Sequence, residues 1–239
     1  GVKTFDFPKS LFLMRDIYKL FSSKDALILD FFSGSATSAH ALMKLNAEDG
    51  GHRTYIMVQI PATCDKTSEA YKAGYKTICD IGKERIRRAG KKIKEENPLT
   101  TQELDIGFRV LKLDSSNMKD VYYRSSDYNQ DLLSSLESNI KEDRTPIDLL
   151  FQVMLELGKP LSAKIEENEI ANKKVFVVDD NDLIACFDEN ITEDVVKAIA
   201  QKKPLYAVFR DNSFSSDTVA ANFEQIFATY SPNTTRKVL

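Results

Sequence analysis

Hydrophobic positions recur at helical spacing soon after the chain begins. In residues 9–21 (KSLFLMRDIYKLF), Leu11, Met14, Ile17, Tyr18 and Phe21 share one face, with Pro8 just ahead of the start. The pattern then changes to a continuous apolar run, Ala26–Phe32 (ALILDFF), which suits a strand buried on both faces of a sheet. A Ser-Gly-Ser turn follows, and TSAHALMKL predicts a helix. Gly50-Gly51 breaks the chain before a second buried strand, Arg53–Ile60 (RTYIMVQI), which Pro61 stops. Strand, helix and strand with short connections predict a right-handed βαβ unit of a parallel sheet.

Helical periodicity returns from Ser68 to about Glu96, with a weak point at Gly74 or Gly82. Ile78, Ile81, Ile86, Ala89 and Ile93 form its inward stripe, and Asn97-Pro98 ends it. Phe108–Leu113 (FRVLKL) reads as a strand, and the polar, turn-rich stretch 114–130 reads as a domain boundary. The remainder predicts helices near 131–141 and 146–157, the second opened by Thr145-Pro146 and closed by Gly158. Strands KVFVVD and LIACFD flank a hairpin signal, Asp179-Asp180-Asn181-Asp182. A helix capped by Thr192, a strand LYAVFR and a helix near 215–229 complete the pattern. The expected architecture is α/β: a partial doubly wound parallel sheet in residues 1–120 and a small α/β C-terminal domain in residues 121–239.

Composition narrows the function classes. The 239 residues carry 33 Lys+Arg and 36 Asp+Glu, a net charge of -3, which excludes a globally basic nucleic-acid-coating protein. Three widely spaced cysteines (Cys64, Cys79, Cys186) make no disulfide framework, and two histidines (His40, His52) are too few for most zinc sites. This reads as a protein of a reducing compartment, the cytosol, without a structural metal. The sequence holds no apolar run that approaches a membrane span, and its start is not a signal peptide. Opening on Gly1 and running straight into structured-looking sequence, the chain reads as a piece of a longer protein.

The informative segment is Asp30-Phe31-Phe32-Ser33-Gly34-Ser35-Ala36-Thr37. An acidic residue at the carboxyl end of a buried strand, then a glycine turn and a helix, occupies the crevice where open α/β sheets bind ligands. Asp30 can accept hydrogen bonds from an amine or hydroxyl, and Gly34 permits close backbone approach. Ser35 and Thr37 supply donors at the positive end of the helix, suited to a carboxylate. Neither G-x-G-x-x-G nor G-x-x-x-x-G-K-[ST] is present, which disfavours pyrophosphate and triphosphate cradles and, with them, NAD. A ligand with an ammonium, a carboxylate and a nucleoside but no phosphate fits better, namely S-adenosylmethionine. A plain strand-to-helix turn would display the same few residues.

Four segments together resemble the modification subunit of type III restriction–modification systems: DFFSGSATSAHA, DGGHRTYIMVQIP, SEAYKAGYKTICDIGKERIRR and KLDSSN. LIACFD looks like that subunit's C-terminal domain. The resemblance implies an adenine-N6 DNA methyltransferase of the permuted class, in which the cofactor half follows the catalytic half. It assigns Asp30, Phe32, Gly34, Ser35 and Thr37 to cofactor binding and puts Gln59 where relatives carry an acidic group for the ribose. FPKS resembles the family's F-P-K-P element, so Phe7, Lys9 and Ser10 would line the methionine end of the cofactor. It further implies double-stranded DNA, a restriction subunit and a second copy as partners in the bacterial cytoplasm. Ala36, Ala62 and Ser10 depart from the usual Gly, Glu and Pro. The D/N/S-P-P-Y/F/W loop that grips a flipped adenine is not in the sequence, which has no Pro-Pro pair, so no catalytic residue is assigned.

Other signals weigh less. In the basic stretch 83–94, Arg85, Arg88 and Lys92 are candidates for DNA-phosphate contact, although such helices more often present a solvated face. His40, Tyr122-Tyr123 and the cysteines suit packing, and Asp179–Asp182 lacks the spacing of a calcium loop. A contrasting reading makes the chain an assembly module, docking a second modification subunit or the restriction subunit without binding cofactor itself.

Overall fold

The computed structural model describes residues 9–119 and 139–239. These form two compact units, one ending at Arg109 and the other beginning at Val110. No helix among the described residues is long and apolar enough to cross a membrane.

The first unit opens with α1 (Leu11–Phe21), whose N-cap Ser10 accepts from Leu13 N–H at 3.4 Å. Next come β1 (Leu27–Asp30), α2 (Thr37–Asp49) and β2 (Thr54–Met57), and the two strands pair in parallel with Asp30 opposite Met57. This is the βαβ unit that the hydrophobic pattern predicts. Arg53 fastens its second connection: the buried guanidinium forks onto both carboxylate oxygens of Asp49 at 3.0 Å and reaches Asn46 and Ser22. A Cβ at Gly51 would lie 2.3 Å from that guanidinium, so a larger residue there would push the Arg53–Asp49 fork aside.

The predicted helix from Ser68 is two helices, α3 (Glu69–Lys72) and α4 (Ile78–Glu96). The break falls at Gly74, whose φ of 95° is open to glycine, and Thr77 with Asp80 restarts the chain through a capping box. Ala39 and Met43 of α2 pack on Ile86, Ala89 and Ile93 of α4, with Tyr55, Met57 and Phe108 against them. These helices cover one face of β1 and β2. The expectation that both strands are buried on both faces is corrected: their residues alternate, and Leu27, Leu29 and Ile56 are 63%, 48% and 47% exposed. No strand forms at 108–113 either. Phe108 lies under Arg87 and packs inward while Val110, Leu111 and Leu113 face solvent, so no period-two burial develops.

The second unit is built on a five-stranded sheet in the order β3 (Ile165–Ile170), β4 (Lys173–Val178), β5 (Leu183–Cys186), β6 (Tyr206–Phe209) and β7 (Thr235–Val238). β3 pairs antiparallel with β4 and β4 antiparallel with β5, and β6 and β7 continue parallel to β5. The Asp179–Asn181 hairpin forms as predicted, with three successive residues at positive φ. α5 (Pro146–Glu156) packs on one sheet face through Leu150, Val153 and Met154, while α6 (Glu193–Gln201) and α7 (Asp217–Tyr230) pack on the other. The helix expected near 131–141 lies mostly outside the described residues; its described end pairs in an antiparallel bridge, Ile140 opposite Met118.

Candidate cofactor site at the end of the first strand

β1 delivers Asp30 to the carboxyl edge of its sheet, half-buried. One carboxylate oxygen accepts from Ser38 Oγ at 2.6 Å and the other from Phe32 N–H at 3.3 Å. The carboxylate is therefore oriented by the turn that it begins. Ser33 N–H donates to Val58 C=O, and Gly34 N–H donates to Gln59 Oε1 at 2.7 Å, fastening the loop to the chain just past β2.

The loop is tightly bent. Gly34 has φ 53°, and Ala36, where relatives of the resemblance carry glycine, adopts the left-handed region with φ 59° and ψ 40°. A non-glycine residue there costs roughly 1 kcal/mol, which the surrounding packing has to offset. Ala36 is also the N-cap of α2 and offers no side-chain cap, and the first turn holds no acidic residue. The first helical bond runs from His40 N–H to Ala36 C=O, which leaves the N–H groups of Thr37, Ser38 and Ala39 without helical acceptors. An α2 of 13 residues adds the positive end of its dipole at the same place.

Ser35 and Thr37 are held from behind by a third side chain. Both side chains are buried, and their hydroxyl oxygens accept from one nitrogen of Arg85, at 2.8 and 2.7 Å. Arg85 arrives from α4, and Gly82 lets that helix come close: a Cβ on Gly82 would lie 3.3 Å from the Gly34 carbonyl oxygen. Burial lowers the Arg85 pKa, yet an arginine stays charged at any physiological pH. Beside it, burial and then the Arg85 charge push the His40 pKa down to about 4, and its buried Nδ1 has no partner. Lys44 and Lys92 add to that depression, while Glu96 opposes it.

The remaining sequence-designated residues scatter. Phe7 lies outside the described residues, Lys9 is exposed and Ser10 is engaged as the α1 cap. Phe32 projects into solvent, 76% exposed. Gln59 uses its carbonyl on Gly34 and its amide on Ile60 C=O, so the side chain braces the loop. Arg88 pairs with Glu84 and Lys92 with Glu96 on the outer face of α4. The structure thus gathers Asp30, Gly34, Ser35, Thr37 and Gln59 around one turn. It also brings in Arg85 and Gly82, whose part in the loop the sequence reading missed. The available signal was a glycine inside an otherwise strong helix, which marks a close backbone approach.

No described family profile matches the chain. Over 138 residues it is 42% identical to the Type III restriction-modification enzyme StyLTI Mod subunit of Salmonella typhimurium, covering 58% of this chain and 19% of that protein. The EcoP15I Mod subunit of Escherichia coli is 29% identical over 222 residues, 90% of this chain and 31% of that protein. The Type II methyltransferase M.KpnI of Klebsiella pneumoniae is 47% identical over 81 residues, 34% of this chain. The chain spans less than a third of the length of these relatives.

Proposed function

From the premise that the chain is homologous to type III modification subunits along part of their length, we propose that it is the cofactor-binding portion of a DNA adenine-N6 methyltransferase. The carrying observation is the Asp30–Thr37 loop: an oriented carboxylate, two left-handed residues and the uncapped N-terminus of α2 around one turn. These features fit S-adenosylmethionine, which when bound supplies an activated methyl group. Asp30 accepts from its amino or hydroxyl groups, and the first-turn N–H groups of α2 face its carboxylate. Gly34 clears space for the backbone to approach, and Gln59 keeps the loop at its distance from β2. This chain's share of catalysis is orientation, because transfer from a sulfonium needs little acid–base help.

The loop that grips adenine belongs, on this reading, to polypeptide outside these 239 residues, and the whole enzyme acts on double-stranded DNA in the bacterial cytoplasm with a restriction subunit. Arg88 and Lys92, on the exposed side of α4, are the residues available for DNA phosphates. Calorimetric titration tests the proposal: S-adenosylmethionine binds the chain saturably, Asp30→Ala abolishes binding while the circular dichroism is kept, and the chain alone does not methylate DNA. An absence of binding at saturating cofactor overturns the reading.

The bare face of β1 and β2 supports a second role, assembly. Leu27, Leu29, Phe31, Ile56, Val58 and Ile60 are all exposed there or just past the strands, which is more apolar surface than a finished sheet leaves in water. A second modification subunit or the restriction subunit is the partner in this reading. Sedimentation of the chain alone and with the restriction subunit distinguishes the two.

A further inference from the structure

Five of the seven cations on α4 stand close to a carboxylate: Lys83 to Asp80, Arg87 and Arg88 to Glu84, Lys91 to Glu95 and Lys92 to Glu96. Of the other two, Lys94 donates to the Gln102 carbonyl near the surface. Arg85 is the exception of consequence. It is half-buried, its contacts are to neutral oxygens, and no carboxylate lies within ion-pair distance among the described residues. A desolvated guanidinium without a counter-charge is costly unless an anion arrives to answer it.

Where that charge sits is informative. Its three acceptors are Ser35 Oγ, Thr37 Oγ1 and, at 3.5 Å, the Ser35 carbonyl, all at the start of α2. There the helix dipole is positive, the first-turn N–H groups lack helical partners and no acidic side chain caps the turn. By donating to the two hydroxyl oxygens, Arg85 leaves each hydroxyl proton free to be donated onward. Three separate sources of positive potential therefore converge on one point, and the carboxylate beside them, Asp30, is engaged by Ser38 Oγ and Phe32 N–H and makes no ion pair with Arg85 among the described residues.

We propose that Arg85 is a positioning residue for the ligand's carboxylate, holding Ser35 and Thr37 in place and supplying the charge behind them. The inference rests on reading the Asp30–Thr37 loop as an S-adenosylmethionine site. It assigns Arg85 to the cofactor rather than to DNA. It also explains why α4 carries glycine at position 82, since a larger residue there would hold the helix, and Arg85 with it, away from the loop.

The test compares S-adenosylmethionine with its decarboxylated analogue, which differs in the carboxylate alone, by calorimetry on the full chain. The wild-type chain prefers the carboxylated ligand by roughly ten-fold or more, the scale of one charge-assisted hydrogen bond. Arg85→Met erases the preference by weakening S-adenosylmethionine and sparing the analogue, whereas Arg85→Lys, which keeps the charge on a differently shaped head group, retains part of it. If Arg85→Met does not fold, Arg85→Gln carries the comparison. The second readout is the His40 imidazole by NMR: its pKa rises from about 4 when the Arg85 charge is removed. Equal weakening of both ligands, an intact preference in the Met variant or an unmoved His40 overturns the proposal. A wild-type chain that binds neither ligand overturns the site reading, and this inference with it.

Discussion

The two units treat similar apolar strands in opposite ways. In the second unit, β5 and its neighbours lie between two helical layers, and all four residues of Leu183–Cys186 are buried. In the first, β1 and β2 have helices on one face, and every second residue is open to water. ALILDFF and LIACFD carry the same kind of hydrophobic run. The difference is therefore in what the rest of the described chain supplies: the second unit wraps its sheet from both sides, and the first wraps one side. Burial is set by the layer that arrives, while the run of apolar residues states only that a layer is wanted.

The largest expected effect sharpens that contrast inside the finished unit. Phe209 is fully buried, with the rings of Phe214, Phe223 and Phe227 centred 5.2–6.3 Å away. Phe209→Ala should cost about 3–5 kcal/mol through lost burial and the cavity left behind. Urea unfolding read by hydrogen exchange assigns the loss to peptides of the second unit. A cost below about 1 kcal/mol would mean that this sheet is no better packed than the first.

An intermediate effect belongs to the first unit and is driven by pH. His40 holds its proton only below about pH 4 in the folded chain, against an ordinary 6.5, because of burial and then the charges of Arg85, Lys44 and Lys92, with Glu96 opposing. A depressed histidine means that the unfolded chain binds the proton first. The stability of the neutral form is complete above pH 6.5 and is lost as pH falls toward 4. After allowance for the imidazole's partial exposure, the loss is on the order of 2 kcal/mol. Denaturation midpoints measured across that window should fall for the wild-type chain and flatten for His40→Leu at the first unit's exchange reporters. A parallel fall in both proteins would assign the acid sensitivity to carboxylates instead.

The same contrast explains what was legible in the sequence. The βαβ start, the Asp30–Thr37 turn and the Asp179–Asn181 hairpin are local events, each encoded by a hydrophobic run meeting glycine, serine or aspartate, and all three form. β3 (IEENEI) and β7 (TRKV) escaped because both are edge strands rich in charge, where alternation toward a core is faint. Phe108–Leu113 misled in the other direction: its apolar residues need one inward side chain, Phe108, and no ladder. In the site, Asp30 and Gly34 could be read from spacing alone. Arg85 could not, since it reaches Ser35 across 50 residues and is indistinguishable in the sequence from the solvated cations beside it.

The smallest effect on stability is the one that most directly probes the open face. Leu29 and Ile56 face one another in register across β1 and β2, and both are about half exposed. Replacing Leu29 with Thr removes little burial and introduces a β-branched residue of the kind strands favour, so stability should move by no more than about 0.5 kcal/mol. Association is where the substitution should register. If the face is an unsatisfied interface, Leu29→Thr with Ile56→Thr lowers self-association and the binding of apolar dyes in proportion to the area made polar, at unchanged unfolding midpoint. If instead the pair costs several kcal/mol, the face is buried within the folded chain in solution, and the contrast between the two sheets disappears.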